Sequence, residues 1–168
     1  QHIMEYLLRR GKVSEMFGDF YYSVFKNNGI CDFDIQYISP IEALNTIKEA
    51  GGLAVLAHSG QQQNFCLIPE LSKNGLDGLE VLNGSTSVEA CYKAAEYAEE
   101  LGLFTLGSSD CHVPEKVGVC ATYFPREVHS MEEFLEAFKE GRMRPVYYKD
   151  GEYHMVNHKK HIYLSEQQ

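Results

Sequence analysis

Between residues 39 and 124 the sequence alternates between amphipathic segments that carry helix caps and short, continuous apolar runs, with few residues between them. Nothing else in the chain constrains its fold as tightly. Helices and strands alternating at this range build βαβ units, so the strands run parallel in an open sheet or a closed barrel. The first unit opens on "SPIE" (39–42), a capping box with proline at the first helical position, and Ile41, Leu44 and Ile47 share a face until Gly51. "LAVLA" (53–57) predicts a strand buried on both faces. A short helical stretch at 67–73, ending at Asn74-Gly75, leads to a second strand in "GLEVL" (78–82). "TSVE" (86–89) caps a long helix whose inner face is Val88, Cys91, Tyr92, Ala95 and Ala98, stopped by Gly102. "LFTL" (103–106) predicts a third strand and "GVCATYF" (118–124) a shorter fourth.

On the flanks, residues 2–10 and 13–27 predict two short helices, with Phe17, Phe20, Tyr21, Val24 and Phe25 at near-helical spacing. Residues 28–38 read as a loop of partly extended character. "SMEE" (130–133) caps a last helix, with Met131, Phe134, Leu135 and Phe138 inward and Gly141 at its end. "RPVYYKDGEYHMV" (144–156) predicts a hairpin turning on Asp150-Gly151. The expected organisation is a helical segment over 1–38 and an α/β body over 39–168.

At 168 residues, 44% hydrophobic and 23% charged, the chain is long enough to bury one core. No apolar run approaches the roughly 18 residues a membrane helix needs, so no membrane partner is expected. A formal net charge of −9 argues against a broad basic surface for nucleic acid, but leaves room for a nucleotide whose phosphates are met by metal ions. Five cysteines without CxxC spacing, and no signal-peptide pattern, point to free thiols and a cytoplasmic location. The sequence opens at Gln1 in what already reads as a helix, so it is expected to be part of something longer.

Three polar clusters stand at the ends of the apolar runs. His58-Ser59-Gly60 follows "LAVLA", Glu80 and Asn83-Gly84 accompany "GLEVL", and Gly107-Ser108-Ser109-Asp110-Cys111-His112 follows "LFTL". Parallel strands deliver all three to one end of the sheet, where such folds gather their chemistry. A carboxylate and two imidazoles in one place suit a divalent metal, which makes His58, Asp110 and His112 candidate ligands. The plainer alternatives are a hydrogen-bonded histidine for His58 and a turn residue for Asp110. Glu80, inside a strand, is either paired structurally or part of the site. Cys111, pointing away from its neighbours in an extended loop, is expected to be buried and not a donor. His154, His158 and His161 have suggestive spacing but lie in a basic tail, where solvation is expected.

Together "AGGLAVLAHSG", "DGLEVLNG" and "LGSSDCH" resemble the PHP (polymerase and histidinol phosphatase) family of metal-dependent phosphoesterases, firmly over about residues 39–120 and more loosely over 1–38. The likeness is greatest to its stand-alone branch acting on phosphoesters of nucleotides or short RNA. It implies an α/β fold: 39–168 as the C-terminal part of a distorted seven-stranded β/α barrel, mainly parallel, with a terminal hairpin, and 1–38 as a small helical insertion. Residue by residue, it implies that His58 (the family's "AHP" motif, with Ser59 in place of proline) and Asp110 and His112 (its "SDxH" motif) are metal ligands. Glu80, Asn83 and Ser109 would lie beside the site, toward the substrate. The implied cofactors are divalent ions, Mn, Zn or Fe with Mg as a further candidate, and the implied substrate is a phosphorylated small molecule or nucleotide.

The family's HxH pair, its following Asp and His, its bridging Glu and a further His have no counterpart here. The site in this chain is therefore expected to be incomplete, with no catalytic residue acting independently of metal and little activity on its own. The missing N-terminal half of the barrel is the expected partner. The chemistry implied is phosphoester hydrolysis assisted by metal-bound water. A reading from another class is a non-catalytic, self-associating PHP-like fragment or binding module. A third is a deaminase- or amidase-type barrel hydrolase. If "LAVLA" is a bare sheet edge, a two-fold homodimer is the expected cover.

Overall fold

In the computed structural model, which describes residues 2–33, 35–62 and 64–156, the chain divides into two compact units, Gln1–Ile38 and Ser39–Gln168. The first holds α1 (His2–Arg9) and α2 (Asp19–Phe25). The second helix begins at Asp19 and not at residue 13. The segment before it runs between Gly11, at φ 63°, and Gly18, the N-cap, and glycine favours irregular backbone over helix. Within this unit Tyr21 gathers the rings of Phe17 and Phe25, with centroids 5.1 and 5.9 Å away. The described residues of 28–38 hold no helix or strand, as predicted.

In the second unit the Ser39 hydroxyl accepts the Glu42 N–H at 3.1 Å and starts α3 (Pro40–Glu49). Then come β1 (Val55–Leu56), a 3₁₀ turn (Phe65–Leu67) running into α4 (Ile68–Lys73), β2 (Gly78–Asn83), α5 (Val88–Leu101) and β3 (Phe104–Ser108). The three strands form one parallel sheet with β2 in the middle, and all six β2 residues are buried. Ser87, and not Thr86, caps α5, its hydroxyl accepting the Ala90 N–H at 3.3 Å. Cys91, Ala94, Ala95 and Ala98 are buried along this helix. The three alanines share a core with Leu79 and Val81 of β2 and with Ile68 and Leu71 of α4. Small alanines let helix and sheet approach closely.

The expectation of a doubly buried first strand fails. β1 is two residues long and Val55 is 38% exposed. It is an edge strand, and an edge has one neighbour instead of two to shield it.

The expectation of a parallel fourth strand also fails. β4 (Cys120–Tyr123), α6 (Met131–Glu140), β5 (Arg144–Lys149) and β6 (Glu152–Met155) follow, and the three strands make a second sheet, antiparallel, in the order β4-β5-β6. Between β3 and β4 lie only a loop and the 3₁₀ turn Pro114–Lys116. A parallel return needs a crossover, usually a helix, which this connection lacks. β4 nevertheless lies against β3. The Thr122 hydroxyl donates to the Gly107 carbonyl at 2.8 Å and accepts the Gly107 N–H at 3.0 Å, standing in for ladder bonds. Glycine is required there, because a Cβ would fall 2.6 Å from the Ala121 carbonyl oxygen.

The Ser130 hydroxyl accepts the Glu133 N–H at 3.2 Å and opens α6, whose Phe138 is buried and meets Phe104 edge-on at 4.6 Å. Met131, expected inward, is exposed; the packed stripe starts a turn later at Phe134, whose ring lies 5.6 Å from Phe124. The hairpin turns on Asp150 and Gly151, at φ 53° and 92°, the left-handed pair such a tight turn requires. His154 belongs to β6 and not to a solvated tail: it is half-buried and stacked on Tyr147 at 5.3 Å. His158 and His161 lie outside the described residues. No helix among the described residues is long and apolar enough to cross a membrane.

Candidate functional site

A buried carboxylate joins the ends of the three parallel strands. Glu80, 8% exposed, projects from β2. One of its oxygens, Oε2, accepts the backbone N–H of His58 at 2.6 Å and the Asn83 side-chain amide at 3.0 Å. The other, Oε1, accepts the Ser108 hydroxyl at the end of β3. A carboxylate withdrawn from water needs this number of donors. The two readings of Glu80 left open by the sequence are thereby narrowed: both of its oxygens are engaged within the protein.

His58 and Asp110 stand just past β1 and β3, and both have left-handed backbones, φ 29° and 46°. Such conformations are uncommon outside glycine and persist where neighbouring structure holds them. The loop after β1 reaches the loop after β3 through Gln61, whose amide donates to Asp110 Oδ2 at 3.3 Å and to the Ser85 carbonyl at 3.2 Å. Among the described residues, buried His58 Nδ1 has no hydrogen-bond partner. His112 Nδ1 lies 2.8 Å from the carbonyl oxygen of Asp110 and 4.0 Å from its carboxylate.

The bonds thus join the loop after His58 to Asp110 through Gln61, and set His112 against Asp110. Among the described residues no three His, Cys, Asp or Glu side chains are arranged to hold a metal ion. One reason is visible: the His112 ring turns back on the Asp110 backbone and is largely exposed. Imidazole and carboxylate are donor types that suit a divalent cation, and in this arrangement they fall short in number.

Other expectations change in detail. Asn83 is buried with both ends of its amide engaged, Nδ2 on Glu80 and Oδ1 accepting the Ser85 N–H at 2.7 Å, so it shapes the loop after β2. Ser109 is half-buried, and its carbonyl crowds Gly84, where a Cβ would come within 2.7 Å. Ser108 makes the bond to Glu80; the strand register that pairs it with Asn83 is not readable from the sequence. Gln61 was likewise unsignalled. Cys111 is exposed, against expectation, because the segment beyond β3 runs over the surface as an irregular loop where alternation of faces does not apply.

Beneath the site lie two buried thiols. Burial pushes the Cys120 thiol up to about 11, assisted by the neighbouring Cys91 and Glu80, and Cys91 is raised for the same first reason. All five cysteines are free.

Known proteins resemble this chain in sequence and in fold. Residues 88–143, which span α5 to the end of the α6 segment and include Asp110 and His112, match the family described as PHP-associated. A phosphoribosyl 1,2-cyclic phosphate 1,2-diphosphodiesterase of Eggerthella lenta is 39% identical over 112 residues, covering 67% of this chain and 43% of that protein. A 3',5'-nucleoside bisphosphate phosphatase of Chromobacterium violaceum is 35% identical over 88 residues, 49% of this chain and 31% of that protein. Among solved structures, an amidohydrolase of Chromobacterium violaceum with bound sulfate and no metal matches at TM-score 0.57 and 24% identity, over 89% of this chain and 52% of that one. A protein of Bifidobacterium adolescentis, provisionally described as a metal-dependent phosphoesterase, matches at TM-score 0.58 and 23% identity, over 83% and 49%. These two likenesses concern the fold. The chain spans less than half the length of either curated relative.

Proposed function

We propose that this chain, a homologue of curated phosphoesterases that carries the PHP-associated segment, supplies the C-terminal part of a metal-dependent phosphoesterase site. The observation that carries the reading is the delivery of His58 and Asp110, both in left-handed backbone, to the same end of one parallel sheet, with Gln61 linking their loops. His58, Asp110 and His112 would hold part of a divalent cation's shell. When bound, that ion supplies charge for the phosphoryl oxygens and an activated water. The chain's own residues do the placing. Glu80 and Asn83 shape the loops, and Gln61 orients the Asp110 carboxylate. The remaining ligands come from the part of the relatives that this chain does not span, which on this reading completes a PHP-type barrel alongside β1, with 1–38 as a helical insertion.

The substrate class is a phosphoester of a nucleotide or sugar phosphate, in keeping with the names of both relatives. The test is hydrolysis of a nucleoside bisphosphate and of a cyclic sugar phosphate with Mn²⁺ or Zn²⁺, by the chain alone and by a protein joining it to the segment its relatives have in addition. The reading predicts little activity for the first and turnover for the second, abolished by Asp110→Asn. Turnover that survives Asp110→Asn would contradict it.

A further inference from the structure

Histidine ligands are ordinarily held in register by a hydrogen bond to the ring nitrogen that does not face the metal. His58 lacks that device at Nδ1, which is buried and unpartnered. Without that bond more of its placement falls to the backbone, which sits at φ 29°, a conformation that persists where surrounding structure holds it. The holder is on the page. The His58 N–H donates to Glu80 Oε2 at 2.6 Å, a short bond of the kind that charge strengthens. Oε2 is fixed in turn by Asn83 Nδ2 at 3.0 Å, and Oε1 by the Ser108 hydroxyl. Three of the roughly four lone pairs of the Glu80 carboxylate are thus engaged inside the protein, so its chief work is to hold these groups.

We infer that Glu80 is the positioning residue of the site. From the central strand it clamps the backbone of His58 and sets the direction of that imidazole, acting through hydrogen bonds and not by contact with a ligand. The inference rests on the metal-site reading above for its purpose, though not for its geometry. It also makes a distinguishing chemical prediction. A carboxamide can reproduce the whole pattern: its oxygen accepts from His58 and Asn83, and its NH₂ donates to Ser108, whose hydroxyl can accept. Glu80→Gln should then rescue what Glu80→Ala loses.

Two readouts test this in the intact chain. The first needs no metal: hydrogen exchange of the His58 amide followed by NMR. Protection is expected in the native chain and in Glu80→Gln, and its loss in Glu80→Ala. The second is Mn²⁺ affinity. Glu80→Ala should weaken it about 10- to 100-fold, the scale of losing an outer-shell partner, while Glu80→Gln stays within about threefold. An unprotected His58 amide in the native chain, or unchanged Mn²⁺ affinity in a folded Glu80→Ala, overturns the positioning role. So does Glu80→Gln binding Mn²⁺ as weakly as His58→Ala, an outcome that stays available if Glu80→Ala does not fold. If the amide is protected but Mn²⁺ binds neither the chain nor a protein joining it to the segment its relatives have in addition, the metal reading falls and the clamp on the His58 backbone stands.

Discussion

Gly107 shows how much one residue decides near the site. It sits where β3 touches β4, and an added methyl would meet the Ala121 carbonyl at 2.6 Å and Pro145 Cβ at 3.2 Å. Both obstacles are structural, so Gly107→Ala is expected to destabilise the protein by about 1–3 kcal/mol, as overpacking does. Urea denaturation measures it, and an unchanged midpoint would show that the β3–β4 seam yields freely. At this scale the sequence places His58 and Asp110 just beyond β1 and β3, because residues at strand ends follow from the alternation of elements. The bonds of Ser108 and Gln61 are not readable in this way, because their partners depend on strand register and on a loop path. Asn83 stands at the end of β2, and its two internal bonds are not readable from the sequence because they exist only after the turn is made.

Helix boundaries were read best among the elements, and for a local reason. Caps are short-range chemistry, so Ser39 and Ser130 could be recognised from four residues each. The start of α5 is ambiguous by one position in the sequence, because Thr86 and Ser87 are both competent caps and only the backbone chooses between them. Ser87→Ala is expected to remove about 1 kcal/mol of stability, whereas Thr86→Ala, whose hydroxyl is buried without a partner, should not lower it by a cap's worth. Thermal melts of the two variants compare them directly; equal losses would remove Ser87 from its role. Strand direction was less legible. "GVCATYF" is as apolar as a parallel strand, and its antiparallel pairing with β5 is decided by a short connection and by a partner hairpin that comes later in the chain.

For the whole molecule, the buried thiols set a limit on alkaline stability. A group whose folded pKa lies above its unfolded value keeps its proton longer when folded, so stability is lost as pH rises between the two. For Cys120 that window runs from 9.0 to about 11, and below it the thiol makes no difference. Denaturation midpoints should fall across this range, and the fall should be shallower in Cys120→Ala than in the parent chain. The exposed edge of β1 sets a second limit. Among the described residues no further strand pairs with its outer side, and pairing with a second copy is the expected cover when nothing else is supplied. Sedimentation at micromolar concentration should show a dimer, and a persistent monomer would show that the chain shields this edge itself. The central claim, that the ends of β1 and β3 hold a divalent cation, is tested most directly by titrating Mn²⁺ into isotope-labelled chain and following paramagnetic broadening. His58, Asp110 and His112 should broaden first, and Asp110→Asn should remove the effect; broadening centred elsewhere, or surviving that substitution, would contradict the assignment.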